Sequence, residues 1–219
     1  MASGSKDLRQ IFDNTLVARH PTHAVTLVEN HDSQPLQALE SVVEAWFKPL
    51  AYALILLRSD GYPSVFYADY FGARYSDTGD DGNTYDVVLE SHQALLDSLM
   101  SVRRDFAYGA QHDYFDAANC IGWTRAGDES HPGGIAVLMS NGDAGSKQMK
   151  LPISGAAYRD VTGHITDVVT TDADGSAEFR CPAGSLSIWT LAEAQSPDHE
   201  PDHEITAAPI PHSARAAAR

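Results

Sequence analysis

The stretch Ala24-Val25-Thr26-Leu27-Val28-Glu29-Asn30-His31-Asp32-Ser33-Gln34-Pro35 decides how the chain is read. An alternating apolar run of strand length stops at a cluster of polar and ionisable side chains. That pattern is expected where a buried strand delivers chemical groups to the open mouth of an α/β barrel. Downstream, apolar residues recur at Leu39, Val42, Val43, Trp46, Phe47, Leu50, Ala51, Leu54 and Leu57. The three-and-four spacing predicts an amphipathic helix. Pro49 lacks an N–H and biases Lys48 away from helical angles, so one helix should end at Phe47 and another start at Pro49. After Asp60-Gly61-Tyr62-Pro63, the run Ser64-Val65-Phe66-Tyr67 predicts a second buried strand. Strand, helix and strand in this order make one right-handed crossover of a parallel sheet.

The first stretch resembles the seventh-strand motif of the α-amylase family of retaining glycoside hydrolases, in which the Asn-His-Asp triplet supplies a substrate-binding His and an active-site carboxylate. Trp46-Phe47-Lys48-Pro49-Leu50-Ala51-Tyr52-Ala53 and the segment from Gly61 to Gly72 look like the same family's following helix and eighth strand. The resemblance implies that Asp32 is a transition-state-stabilising carboxylate and that His31 hydrogen-bonds the same sugar. Without it, Asp32 reads as a turn or helix cap ahead of Leu39 and His31 as a structural histidine. The family's common Thr after the triplet is Ser33, which keeps a hydroxyl.

By that resemblance the nucleophilic Asp and general-acid Glu belong to earlier barrel strands, and no Arg-x-Asp segment precedes the motif. A complete (β/α)8 barrel takes roughly 250 residues, more than the 219 present. The expectation is therefore the C-terminal part of an α-amylase: a chain descended from an enzyme that cleaves internal α-1,4-glucosidic bonds of starch or glycogen, inactive by itself, whose partners would be an α-glucan and the missing barrel part. A noncatalytic α-glucan-binding or partner-binding module is the rival reading, favoured if Trp123 or Trp189 lies exposed on a sheet face.

The formal net charge of −15 argues against nucleic acid and against anionic membrane, because phosphate contacts need clustered Lys and Arg. No apolar window reaches the ~20 residues of a membrane span, and the first fifteen residues contain no signal-peptide core. With no Asn-x-Ser/Thr sequon and two cysteines, Cys120 and Cys181, this points to a cytoplasmic protein. A disulfide between them requires neighbouring strands; two buried free thiols are the other reading.

The segment Ser76 to Asn83 reads as a turn-rich loop in which Asp77, Asp80 and Asp81 could face a cation, although it lacks the spacing of a calcium loop. Leu89, Leu95, Leu96, Leu99, Met100 and Phe106 mark a last barrel helix ending in Arg103-Arg104. Short strand-like segments follow at Ile121 to Thr124, Ile135 to Met139, Gln148 to Leu151, Ala157 to Asp160, Ile165 to Val169, Ala177 to Arg180 and Ser185 to Leu191. Their number and spacing predict an antiparallel sandwich.

This part, from Tyr108-Gly109-Ala110-Gln111-His112-Asp113 onward, resembles the Greek-key domain that follows the barrel in bacterial-type liquefying α-amylases. The expected organisation is a barrel remnant over 1–107, a β-sandwich over 108–194 and a disordered Pro-rich tail over 195–219. The tail repeats Pro-Asp-His-Glu at Pro197 and Pro201, a pattern that could hold a metal loosely. The resemblance also implies a calcium between barrel and sandwich. Here Asn119 and Asn141 stand where relatives carry acidic ligands. Calcium needs charged oxygens, so no calcium is expected there.

Overall fold

A computed structural model of the chain describes residues 6–192, so the expectations for the tail lie outside the described residues. β1 (Val25–Leu27) pairs in parallel with β2 (Tyr62–Ser64), in the register Val25↔Tyr62, Thr26↔Pro63, Leu27↔Ser64. Between them runs a short helix, α2 (Lys48–Leu57), which follows the four-residue α1 (Leu16–Arg19). Tyr52 to Leu57 are all buried. A helix apolar on every side must be wrapped by the rest of the chain, and this one is.

Three local expectations are corrected. Of the two helices expected on either side of Lys48, the first does not form; the second does, starting at Lys48 with Pro49 in its first turn where the missing N–H costs nothing. Residues 33–47 are instead a loop in which Leu39, Val42 and Trp46 are exposed. Leu36 has a φ of 65°, and its N–H is drawn to the Glu40 carboxylate at 2.6 Å, which takes the backbone out of helical geometry. The second strand lies upstream of the predicted Ser64 to Tyr67, because the Tyr62 N–H donates to the Ala24 carbonyl and fixes the register there. Tyr67 instead opens the short helix α3 (Tyr67–Phe71). The turn-rich loop is the tip of a hairpin, β3 (Ala73–Thr78) with β4 (Thr84–Leu89), so Leu89 belongs to a strand. The last helix is α4 (Gln93–Phe106).

The second half is built on one six-stranded antiparallel sheet, ordered β10-β9-β12-β7-β6-β5. Its strands are β5 (Gln111–Tyr114), β6 (Cys120–Arg125), β7 (Ile135–Ser140), β9 (Ala157–Asp160), β10 (Val169–Thr170) and β12 (Leu186–Leu191). β8 (Gly145–Lys150) and β11 (Ser176–Cys181) form a separate two-stranded ribbon. β5 is too polar to be foreseen from periodicity. The strand predicted from Ile165 shrinks to Val169–Thr170 because the Asp160 carboxylate accepts the N–H groups of Thr162 and Ile165, each at 3.0 Å, and turns the chain.

Alternation along β7 explains how both faces of the sheet are covered. Ile135, Val137 and Met139 join Trp123 and Ile188 in one apolar cluster with α2 and α4. Ala136 and Leu138 join Trp189, Phe179 and Met149 in a second cluster under the ribbon. Trp123 and Trp189 are both fully buried, which removes the observation that would have favoured a binding module. The first cluster means that the sheet shares its core with the crossover. Arg58, at the end of α2, reinforces the junction: its guanidinium binds Asp113 of β5 at 2.7 and 2.9 Å and lies 4.6 Å above the Phe12 ring. No helix among the described residues is long and apolar enough to cross a membrane.

A core shared in this way should unfold as one unit. Leu99→Ala, which empties a buried position on α4 facing the sheet, is expected to cost about 2 to 5 kcal/mol. In urea titrations the helical far-UV signal and the near-UV signal of the buried tryptophans should shift together. Loss of the helical signal with the tryptophan transition unmoved would contradict a shared core.

Candidate functional site

Glu29, Asn30, His31 and Asp32 follow β1 at its C-terminal end, as the apolar-to-polar switch in sequence suggested. Asp32 does not sit on the strand, however; it lies in a turn five residues beyond Leu27. The turn is held locally. The Asn30 Oδ1 accepts the N–H groups of Asp32 at 3.0 Å and Ser33 at 2.9 Å, and the Ser33 Oγ accepts the Asn30 N–H at 3.0 Å. The Asp32 carbonyl accepts the Leu39 N–H at 3.1 Å. This is the ordinary self-capping of Asn and Ser in turns. It leaves both reactive side chains outward: His31 Nε2 lies 3.4 Å from Asp32 Oδ1, with the side chains 82% and 54% exposed. His31 and Asp32, neighbours in sequence, thus share one exposed turn.

What periodicity missed lies directly behind the turn. The Glu29 side chain is fully buried; its carboxylate accepts the Val43 N–H at 2.6 Å and the Lys48 ammonium at 2.9 Å. Lys48 also pairs with Asp69 of α3, equally buried, whose other oxygen accepts the Tyr52 hydroxyl at 2.5 Å. Burial opposes the charge on Lys48, but the hydrogen bonds to Asp69 and Glu29 outweigh it and hold its pKa above the usual lysine range. Burial and the Asp69 carboxylate push the Tyr52 phenol far above its ordinary value, so it remains a donor. A signal for this cluster was present in sequence: Lys48 and Asp69 each interrupt an apolar or aromatic run, Glu29 directly ends one, and a buried charge demands a partner.

A cleft of about 590 Å³ opens between residues 36–40 and the tip of the β3–β4 hairpin. Gln37 fastens the two walls by donating to Asp77 at 2.9 Å. Of the carboxylates considered for a cation, Asp77 accepts from Gln37 and from the Thr78 N–H, and Asp81 is engaged within the hairpin itself. Asp81 accepts from Tyr85 at 2.6 Å and from the Asn83 side chain at 2.7 Å, which holds its pKa down at about 2. At the aligned calcium position, the Asn141 amide donates to the Lys6 carbonyl at 2.6 Å, and the Asn119 carbonyl accepts the Asn141 N–H at 3.0 Å. The Asn141 amide, neutral and engaged with backbone, offers none of the charged oxygens that calcium prefers. Among the described residues no group of three or more His, Cys, Asp or Glu is placed to hold a metal ion.

No family model matches the chain. It is, however, 51% identical over 189 residues to the cytoplasmic α-amylase of Escherichia coli (strain K12), a match covering 85% of this chain and 38% of that protein. The chain belongs to the α-amylase family. To the glucan 1,4-α-maltohexaosidase of Bacillus sp. (strain 707) this α-amylase-family chain is 49% identical over 191 residues, covering 86% of it and 35% of the relative. It thus spans little more than a third of the length of these relatives, consistent with a C-terminal part. Among solved structures, an Anoxybacillus α-amylase matches with a TM-score of 0.52 at 16% identity, covering 76% of this chain and 37% of that one. A cyclomaltodextrin glucanotransferase with a three-domain ABC distribution matches at 0.53 and 19%, covering 76% and 36%. At such identities these two likenesses speak to the fold alone.

The ion cluster sets two expectations for this α-amylase-family chain. Lys48→Met strands two buried carboxylates and should cost about 3 to 5 kcal/mol, read from urea unfolding, whereas the triple change Glu29→Gln, Lys48→Met, Asp69→Asn should cost less. Because the folded pKa of Lys48 is raised, its contribution is full below the ordinary value of 10.5 and is lost as pH climbs through the raised value. The unfolding midpoint should therefore drop on the alkaline side in wild type. A triple variant with the same alkaline drop would show that another group is responsible.

Proposed function

We propose that the chain is the last crossover of a (β/α)8 catalytic barrel followed by its Greek-key β-sandwich, over 1–107 and 108–194, and that it belongs to an α-amylase acting on internal α-1,4-glucosidic bonds of starch or glycogen. The observation that carries this reading is the exposed His31–Asp32 turn at the C-terminal end of a parallel strand, backed by a sealed ion cluster. In barrel enzymes that end is where catalytic groups are presented. Exposed Val25, Leu27 and Tyr62 on the two parallel strands further support a sheet that continues in the intact enzyme, since exposed apolar strand surface is otherwise costly.

In this reading Asp32 grips ring hydroxyls of the sugar whose anomeric carbon gains oxocarbenium character, and His31 binds the same sugar. A retaining glycosidase also needs a nucleophile and a general acid about 5 to 5.5 Å apart. Glu29 and Asp69 cannot serve: both carboxylates face inward and are paired with the buried Lys48 ammonium. The 219-residue chain alone is therefore inactive, and the missing pair comes with the remaining barrel. No calcium is held at Asn119 and Asn141. The cytoplasmic relative fits a cytoplasmic location.

The test is a chimera that supplies the other strands from the Escherichia coli relative. It should release reducing sugar from starch, and Asp32→Asn in it should cost about 3 to 4 kcal/mol of transition-state stabilisation, with folding unchanged by circular dichroism. Starch hydrolysis by the isolated chain, insensitive to Asp32→Asn, would overturn the reading.

A further inference from the structure

The only two cysteines of the sequence meet where the sheet and the ribbon come together. Cys120 opens β6 and Cys181 closes β11. Cys181 faces Gly145 across the ribbon, and a Cβ at Gly145 would stand 2.4 Å from the Cys120 sulfur and 3.9 Å from the Cys181 sulfur. The two thiols therefore crowd the space over one backbone position. Both are free thiols; Cys181 is buried and Cys120 is partly exposed. That asymmetry separates a reachable attacking sulfur from an enclosed resolving one.

We propose that Cys120 and Cys181 form a reversible redox couple that cross-links the six-stranded sheet to the β8–β11 ribbon by exchange with a low-molecular-weight disulfide such as oxidised glutathione. The Cys120 sulfur, as thiolate, attacks one sulfur of the small disulfide; a new S–S bond forms, the old one breaks, and one glutathione thiolate leaves. The Cys181 thiol then attacks the Cys120 sulfur and expels the second glutathione, whose departing thiolate takes the Cys181 proton. Two protein thiols are oxidised and one glutathione disulfide is reduced to two thiols. The link closes over the second apolar cluster, whose ribbon wall is otherwise held by side-chain packing, hydrogen bonds and the Lys147–Asp116 ion pair.

The experiment incubates the full chain with oxidised glutathione, then counts thiols after denaturation and maps peptides by mass spectrometry. The expected result is loss of both thiols, no retained glutathione, and a Cys120–Cys181 cross-linked peptide that dithiothreitol releases. Cys181→Ala should stall as a glutathione adduct on Cys120, and Cys120→Ala should leave Cys181 unreacted in the native state. Two persistent thiols in wild type, or glutathione retained on Cys120 beside a free Cys181, would overturn the proposal. Native Cys181 reacting equally well in Cys120→Ala would overturn the order of attack. Should a variant fail to fold, the wild-type peptide map decides the matter.

Discussion

The turn that presents His31 and Asp32 has little packing of its own; its position is inherited from the Lys48 ammonium held between Glu29 and Asp69. Those three side chains come from the end of β1, the start of α2 and the middle of α3. One buried cation thus ties together the elements that define the mouth of the crossover. Two carboxylates against a single ammonium leave an excess of negative charge, and the Val43 N–H and the Tyr52 hydroxyl spread it. Such a cluster adds little net stability over an apolar equivalent, but its geometry is demanding, because any displaced member leaves a buried charge unpaired. It fixes a position more than it stabilises a fold.

From that anchor the exposed chemistry follows. A strand end fixed by buried charges can release a self-capped turn into solvent without losing its aim, and the Asn30 and Ser33 side chains keep the turn closed while His31 and Asp32 face outward. The loop that follows is tied to the β3–β4 hairpin through Gln37 and Asp77. Functional groups on a loop become precise only when rigid elements support them.

The sheet serves two masters. Its apolar residues alternate between a cluster shared with α2 and α4 and a cluster closed by the ribbon. Arg58 carries the ion-pair logic across the first of these junctions, reaching Asp113 while stacking on Phe12. The second junction has the cysteine pair at its edge. Both halves of the chain therefore depend on contacts that neither half makes alone.

The crossover, the alternating strands and the pair His31 and Asp32 were legible in the sequence, because period, punctuation and local motif are properties of neighbouring residues. The α-amylase resemblance was legible for the same reason, resting on three short ordered motifs. The loop over 33–47 was not, although its apolar residues are helically spaced: carboxylates of Glu29 and Glu40 capture its backbone N–H groups, and Glu29 acts from outside the segment. The same holds for Asp160, which turns a strand-like run into a bend. Whether Trp123 and Trp189 lie inside, which carboxylates Lys48 binds, and that Cys120 meets Cys181 are relations between residues distant in sequence. Pattern along the chain determined what each segment could form; only the packing of distant segments decided which hydrogen bonds and charges were left to be satisfied, and therefore which local preferences gave way.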